Sequence, residues 1–162
     1  MRLLTLLLTL TVALAAPVGA DDGRLEWPLR PRPAVMRIFD PPAVKWQSGH
    51  RGVDLAARES QIVHAARAGT VVFAGQLAGR PLVSVAHPGG LRTTYEPVSP
   101  AVRAGQQVGA GAVLGAVMSG HAGCGAAACL HWGAMWGPSS RADYVDPLGL
   151  LDETEIRLKP LR

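Results

Sequence analysis

Short apolar runs separated by glycine or proline dominate the chain from Val53 onward. Turn-forming pairs such as Ala68-Gly69 and Pro88-Gly89 lie between them. The pattern predicts strands over the following ranges: 62–65, 70–74, 82–86, 91–95, 113–118 and 130–136. No stretch shows a sustained helical period with capping residues. The chain is therefore predicted to be all-β, a single antiparallel sandwich or barrel-like domain.

The first twenty residues have the pattern of a secretory signal peptide. Arg2 supplies the positive start, 3–16 form an apolar stretch, and 18–20 offer small or modest residues for cleavage. The alternative is an uncleaved membrane anchor, but a spanning helix needs about 20 apolar residues. Threonines and Pro17 interrupt this run. We therefore expect export, with membrane attachment only if the segment stays uncleaved.

The rest of the chain divides into three further segments. Residues 21–48 form a proline-rich N-terminal segment in which helix is excluded and a first strand is expected over 35–39. Trp27 and Trp46 are expected to pack on the core. The main domain is predicted to cover 49–151, followed by a loose, charged tail over 152–162.

Charge excludes one class of partner. Removing residues 1–20 takes away Arg2 alone, so 15 Lys/Arg remain against 12 Asp/Glu, a formal charge of +3. The basic residues are spread along the chain, with no block of Lys and Arg and no interleaved aromatics. A nucleic-acid partner is therefore not expected. The weak positive charge would suit an anionic cell wall, but ordinary solubility is the simpler explanation.

The two cysteines, Cys124 and Cys129, enclose four residues. An even count in an exported protein favours a disulfide bond. That bond would fix the segment that leads into His131. The alternative is a reduced Cys129 that binds zinc as a thiolate.

Candidate metal ligands occur in two separate stretches. His50 and Asp54 lie in the glycine-framed run 49–57, which reads Gly-His-Arg-Gly-Val-Asp-Leu-Ala-Ala, and His131 lies in Cys129-Leu130-His131-Trp132. Neutral imidazole and carboxylate are standard zinc ligands, and a catalytic zinc site needs three of them with one position left for water. These three residues would supply that set.

The same stretches resemble a known family. The run 49–57 is similar to the first zinc motif of the LytM/lysostaphin-type peptidoglycan endopeptidases, and Leu130-His131-Trp132 is similar to the second half of their His-x-His motif. The resemblance extends from about Trp27 to Leu151. It implies a fold of the LytM, or duplicated hybrid motif, type, a zinc cofactor and peptidoglycan peptides as substrate.

Two positions depart from the family pattern. The family has a histidine in a Tyr-x-His sequence and another at the start of His-x-His, and both carry protons; here Pro97 and Cys129 stand in their places. Glu96 and His121 are the candidate substitutes for the missing proton carriers. Tyr95 is a candidate substrate-binding residue, and a core or rim tyrosine is the alternative. His64 and His87 are interpreted as structural.

These residues lead to one principal function and two alternatives. The first is an exported zinc metalloendopeptidase that acts on the peptide bridges of peptidoglycan, with activity reduced by the two departures. The second is a catalytically inactive LytM-like module that binds the cell wall or regulates another hydrolase. The third, a zinc-stabilised structural domain, needs a closed site with a fourth ligand such as the Cys129 thiolate.

Overall fold

The computed structural model describes residues 23–44, 46–138 and 141–151. The predicted signal peptide (1–20) and C-terminal tail (152–162) lie outside the described residues. Across the described ranges, no helix has the length and apolar character needed to cross a membrane. The division of the chain at residues 20, 48 and 151 stays a prediction.

Eleven strands are found among the described residues. They are β1 (Val35–Arg37), β2 (Val53–Ala57), β3 (Ile62–His64), β4 (Gly69–Leu77), β5 (Arg80–Ala86), β6 (Leu91–Glu96), β7 (Val98–Pro100), β8 (Gln107–Val108), β9 (Val113–Val117), β10 (Ala128–Trp136) and β11 (Asp143–Val145). Two short 3-10 turns, Pro88–Gly90 and Pro147–Leu150, are the helical elements described.

The strands form two antiparallel sheets. In the larger sheet the order is β1-β2-β10-β6-β5-β4-β8, with β11 also paired to β10. The smaller sheet has the order β3-β9-β7. Each of these pairings is antiparallel, so the all-β class and the antiparallel architecture predicted from the pattern are confirmed.

Alternation along the strands places the core on one face of the larger sheet. Val53 and Leu55 of β2 and Leu130 and Trp132 of β10 are fully buried there. They form one apolar cluster with buried residues of the smaller sheet, including Leu114. The other face of β2 and β10 is left for polar side chains.

The two N-terminal tryptophans have different environments. Trp27 packs against Trp132, with ring centroids 6.2 Å apart, as expected for a core residue. Trp46 is 87 % exposed, so the expectation of core packing is wrong for that residue. It lies in the segment between β1 and β2.

Tyr95 belongs to the core, which corrects its assignment to substrate binding. Its ring is fully buried because odd-numbered positions of β6 face the apolar cluster. Its hydroxyl accepts the Ala66 N–H (2.9 Å) and contacts the Thr93 hydroxyl (2.8 Å). Burial raises the pKa of Tyr95 to about 12. The residue therefore closes a buried hydrogen-bond chain and has no surface to offer a substrate.

That chain has a fixed direction. His87 Nδ1–H donates to the Ala68 carbonyl (3.0 Å), so His87 Nε2 accepts from Thr93 Oγ1 (2.7 Å). The Thr93 oxygen then accepts the Tyr95 O–H, and Tyr95 accepts from the backbone. His87 has its role in this network, as the structural interpretation expects.

We expect Tyr95→Phe to lower the free energy of unfolding by about 1–3 kcal/mol, because it leaves a buried N–H without its acceptor. The difference from wild type should be full below pH 10, where the unfolded tyrosine is still protonated, and should shrink as pH rises toward 12. Denaturant unfolding at several pH values measures both effects.

The matched control is Tyr144→Phe, because Tyr144 is only partly buried on β11. A control loss as large as that of Tyr95→Phe would contradict the assignment of the buried network.

Candidate metal centre

The register of two strands creates the site. Asp54 of β2 is paired directly with His131 of β10. Directly paired residues project to the same face, here the face opposite the apolar cluster that holds Val53 and Trp132. Two residues separated by most of the domain in sequence are therefore neighbours in space.

His50 reaches the same point from the loop before β2. An isolated antiparallel bridge joins Asp40 to His50, with backbone hydrogen bonds in both directions. The His50 ring donates its Nδ1–H to the Ile38 carbonyl (2.6 Å), since a carbonyl can only accept. This bond fixes the ring so that Nε2 faces Asp54.

Three ligand-type atoms converge as a result. His50 Nε2 and His131 Nδ1 each lie 2.9 Å from Asp54 Oδ1, and the two nitrogens lie 3.1 Å apart. In a tetrahedral zinc site the ligand atoms are separated by roughly 3.3 Å, because each lies about 2.0–2.1 Å from the ion. The observed spacing is close to that of a zinc ligand set.

The direction of the His50 lone pair argues for a cation between these atoms. With its proton on Nδ1, a neutral His50 aims the Nε2 lone pair at a carboxylate oxygen, and two acceptors 2.9 Å apart repel each other. A metal ion or an extra proton removes that repulsion. Asp54 Oδ2 is also buried and has no hydrogen-bond partner among the described residues. The donor set therefore fits a divalent metal.

His121 enters the site from the loop between β9 and β10. Its Nε2 lies 3.0 Å from Asp54 Oδ1, and its ring centroid is 5.9 Å from that of His131. Among the described residues, the group whose donor atoms all lie within 4.8 Å of one another is His50, Asp54 and His131, so His121 lies beside the ligand set.

His121 and the Asp54 carboxylate shift each other's pKa. Burial by itself would raise the pKa of the Asp54 carboxyl, but hydrogen bonds from His121, His131 and, when its Nε2 is protonated, His50 outweigh it and hold that pKa well below its usual range. The hydrogen bond to Asp54 raises the pKa of His121; burial opposes the rise, and the charge of Glu96 adds to it.

Glu96 lies on the same face as His131. The two residues are directly paired between β6 and β10, so Glu96 faces the site without any irregularity in the strand. Its carboxylate is mostly buried and forms an ion pair with Arg80 Nη1 (3.1 Å). Sequence reasoning missed Arg80, because an ion pair between separate strands leaves no local signal.

The two cysteines form a disulfide bond, with their Cα atoms 5.7 Å apart. Neither thiol is free, so the alternative of a Cys129 thiolate bound to zinc does not apply to this structure. The closed structural zinc site that depended on that thiolate loses its fourth ligand with it.

The remaining histidine of the strands is structural. His64 Nδ1–H donates to the Gly111 carbonyl (2.9 Å), away from Asp54. This contact agrees with the interpretation made from the sequence.

Gly52 is a further site residue whose role the sequence shows only as a motif position. A Cβ at this position would lie 2.5 Å from the Trp132 carbonyl oxygen and 2.8 Å from His131 Nε2. The absence of a side chain therefore lets the His131 ring pack against the loop before β2.

Comparisons with known proteins agree with this geometry. The model of Peptidase family M23 matches residues 48–147, which confirms the family predicted from the two motifs. "Uncharacterized protein Rv2891" of Mycobacterium tuberculosis is 69% identical over 147 residues, which cover 91% of this chain and 59% of that protein. The chain thus spans about three-fifths of the length of this curated relative.

Solved structures show the same fold. The antimicrobial peptidase lysostaphin from Staphylococcus simulans is 26% identical with a TM-score of 0.65, covering 82% of this chain and 55% of that one. Helicobacter pylori Csd3 is 27% identical with a TM-score of 0.61, covering 79% of this chain and 34% of that one.

We expect Gly52→Ala to lower the free energy of unfolding by about 1–3 kcal/mol, because the new methyl group overlaps backbone and the His131 ring. It should also weaken metal binding, since the ring is displaced. Denaturant unfolding and competition with a chelator measure the two effects.

Gly109→Ala is the matched control, since a Cβ there meets no atom within 4 Å. Equal stability and metal affinity in the Gly52 variant and this control would show that His131 does not depend on the glycine.

Proposed function

Because this chain belongs to Peptidase family M23, we propose that it is an exported zinc metallopeptidase that cleaves peptide bridges of peptidoglycan. The observation that carries the proposal is the convergence of His50, Asp54 and His131 with a further imidazole beside them. The substrate class follows from the resemblance of both motifs to peptidoglycan endopeptidases. The similarity to lysostaphin, an antimicrobial peptidase, supports it.

His50, Asp54 and His131 hold the metal in this proposal. Zinc, when bound, polarises the scissile carbonyl and makes a water molecule acidic enough to lose a proton near neutral pH. The Ile38 carbonyl keeps His50 in the tautomer that binds metal through Nε2. The strand pairing keeps His131 beside Asp54.

His121 is the proton carrier in place of the two family histidines. Its Nε2 lies 3.0 Å from Asp54 Oδ1, which places the imidazole beside the ligand set, where a side chain could exchange a proton with attacking water. As the peptide C–N bond breaks, the imidazole returns that proton to the leaving amine. Glu96 is already paired with Arg80, so its part is to stabilise the charged imidazole through its field.

A second candidate function has its own observation. Pro97 and Cys129 occupy the positions of the two family histidines, and the disulfide excludes Cys129 from proton transfer. A LytM-like module that only binds the cell wall, or regulates a separate hydrolase, would use the same face of the sheet and would not need a proton carrier.

We expect the purified mature protein to contain about one zinc per chain, and His131→Ala to lose it, because two ligands hold the ion much more weakly than three. Elemental analysis measures the metal, and digestion of isolated peptidoglycan measures activity. His64→Ala, outside the site, should keep both. A His131 variant with full zinc content would overturn the ligand assignment.

We expect His121→Ala to lower kcat by about 10²–10⁴-fold with zinc content unchanged, because general acid–base catalysis contributes that much. Glu96→Gln should cost about tenfold, or ~1.4 kcal/mol in the activation barrier. Steady-state cleavage of a defined peptide bridge gives both values.

The outcomes separate the two candidate functions. Full activity in the His121 variant would refute its role as proton carrier. Stoichiometric zinc without cleavage by the wild type would favour the binding or regulatory module.

A further inference from the structure

The disulfide bond lies on the same face of the sheet as the candidate metal centre. Cys129 and His131 are two positions apart in β10, so their side chains project to one face. Cys129 is paired with Ala56 of β2, two residues along from the pairing that holds Asp54. The bond to Cys124 therefore draws the preceding loop across the face on which the metal ligands lie.

The loop that carries His121 has few main-chain attachments, and its side-chain contacts to other segments include Ser119 Oγ to Glu59 Oε1 (3.3 Å) and His121 Nε2 to Asp54 Oδ1 (3.0 Å). Between 119 and 127, the main-chain hydrogen bond found in the described part of the chain runs from Cys124 N–H to the His121 carbonyl (3.4 Å), inside the loop itself. Gly120 and Gly123 have positive φ angles. The His121 turn is thus closed by Cys124, and Cys124 is bonded to β10.

The metal ligands are held by other means. Asp54 and His131 are fixed by strand pairing, and His50 is fixed by its bridge to Asp40 and its bond to Ile38. None of these contacts uses the loop over 119–127. The backbone positions of the ligand set therefore do not depend on this loop, and His121 meets the set through its contact with Asp54 (3.0 Å).

We propose that the Cys124–Cys129 disulfide is the positioning element for His121, holding this imidazole beside Asp54 from a loop. Cys129 occupies the strand position at which the family carries a histidine. The disulfide instead holds a histidine of the loop, His121, beside the site. Breaking the bond releases His121 and leaves the metal ligands in place. The catalytic consequence rests on the proposed function; the geometric one does not.

The redox step is defined chemically. A phosphine reductant attacks one sulfur, the S–S bond takes up two electrons, and the phosphine is oxidised to its oxide with the oxygen of a water molecule. The two protons of that water go to the Cys124 and Cys129 thiols. No other reactant is needed.

The test compares zinc-loaded mature protein in three forms: oxidised, phosphine-reduced, and Cys124→Ala/Cys129→Ala. The double variant removes both thiols, so neither can bind the metal after the bond is lost. The first readout is the nuclear Overhauser effect between the His121 and His131 rings, whose centroids lie 5.9 Å apart. We expect it in the oxidised form and not in the other two.

The second readout is kinetic. The double variant should lose kcat by the same 10²–10⁴-fold as His121→Ala, with KM and zinc content within about twofold of wild type. Adding His121→Ala to the double variant should cause no further loss, because the two changes remove one function. The reductant should leave the double variant unaffected.

Each outcome of these experiments supports or overturns the proposal. A ring-to-ring effect that persists without the bond overturns the proposal, and so does an additive loss in the triple variant. If the wild type does not cleave peptidoglycan, the proposed function fails, while the ring-to-ring effect still decides whether the disulfide positions His121. If the double variant does not fold, the reduced wild-type protein supplies the same comparison.

Discussion

The antiparallel pairing of β2 with β10 is the constraint on which the site depends. It places Asp54 directly opposite His131 and puts both on the face that the core does not use. A register shift of one residue would turn one of the two toward the apolar cluster. The apolar neighbours Val53 and Trp132 prevent such a shift, since it would expose them. The packing of the core thereby specifies the ligand geometry.

A buried carboxylate also imposes a requirement on its surroundings. Asp54 is 1 % exposed and has no basic partner with a permanent charge at hydrogen-bond distance among its described contacts. Its charge has to be compensated, because an isolated buried ion is strongly destabilising. Three imidazoles surround one of its oxygens. Protons on these imidazoles, or a metal ion bound among them, would compensate the charge of the carboxylate. Metal binding in this proposal therefore also stabilises the fold around Asp54.

Local sequence patterns predicted most of the longer strands, but not β7, β8 or β11, and they singled out the three ligand-type residues that the structure brings together. Apolar alternation predicts strand positions, and His50 and Asp54 lie within one short motif.

Contacts between residues far apart in the sequence could not be predicted in the same way. Glu96 faces the site because it is paired with His131. Tyr95 is buried because buried and partly exposed positions alternate along β6. Trp46 lies outside the strands, between β1 and β2, and is exposed. The path of the loop that carries His121 depends on a covalent bond to β10, and the hydrophobic periodicity of the sequence does not predict that path.

A catalytic group supplied by a loop has different physical requirements from one on a strand. A strand residue is ordered by the sheet, whereas ordering each loop residue costs about 1–2 kcal/mol of conformational entropy. Glycines make this loop still more costly to fix. A disulfide across so short a segment offsets about 2 kcal/mol of that cost by restricting the unfolded chain. In the proposed function, the ligand set depends on the register of the sheet, and the position of His121 depends on an oxidising compartment. A reduced protein would then keep its metal and lose its proton carrier.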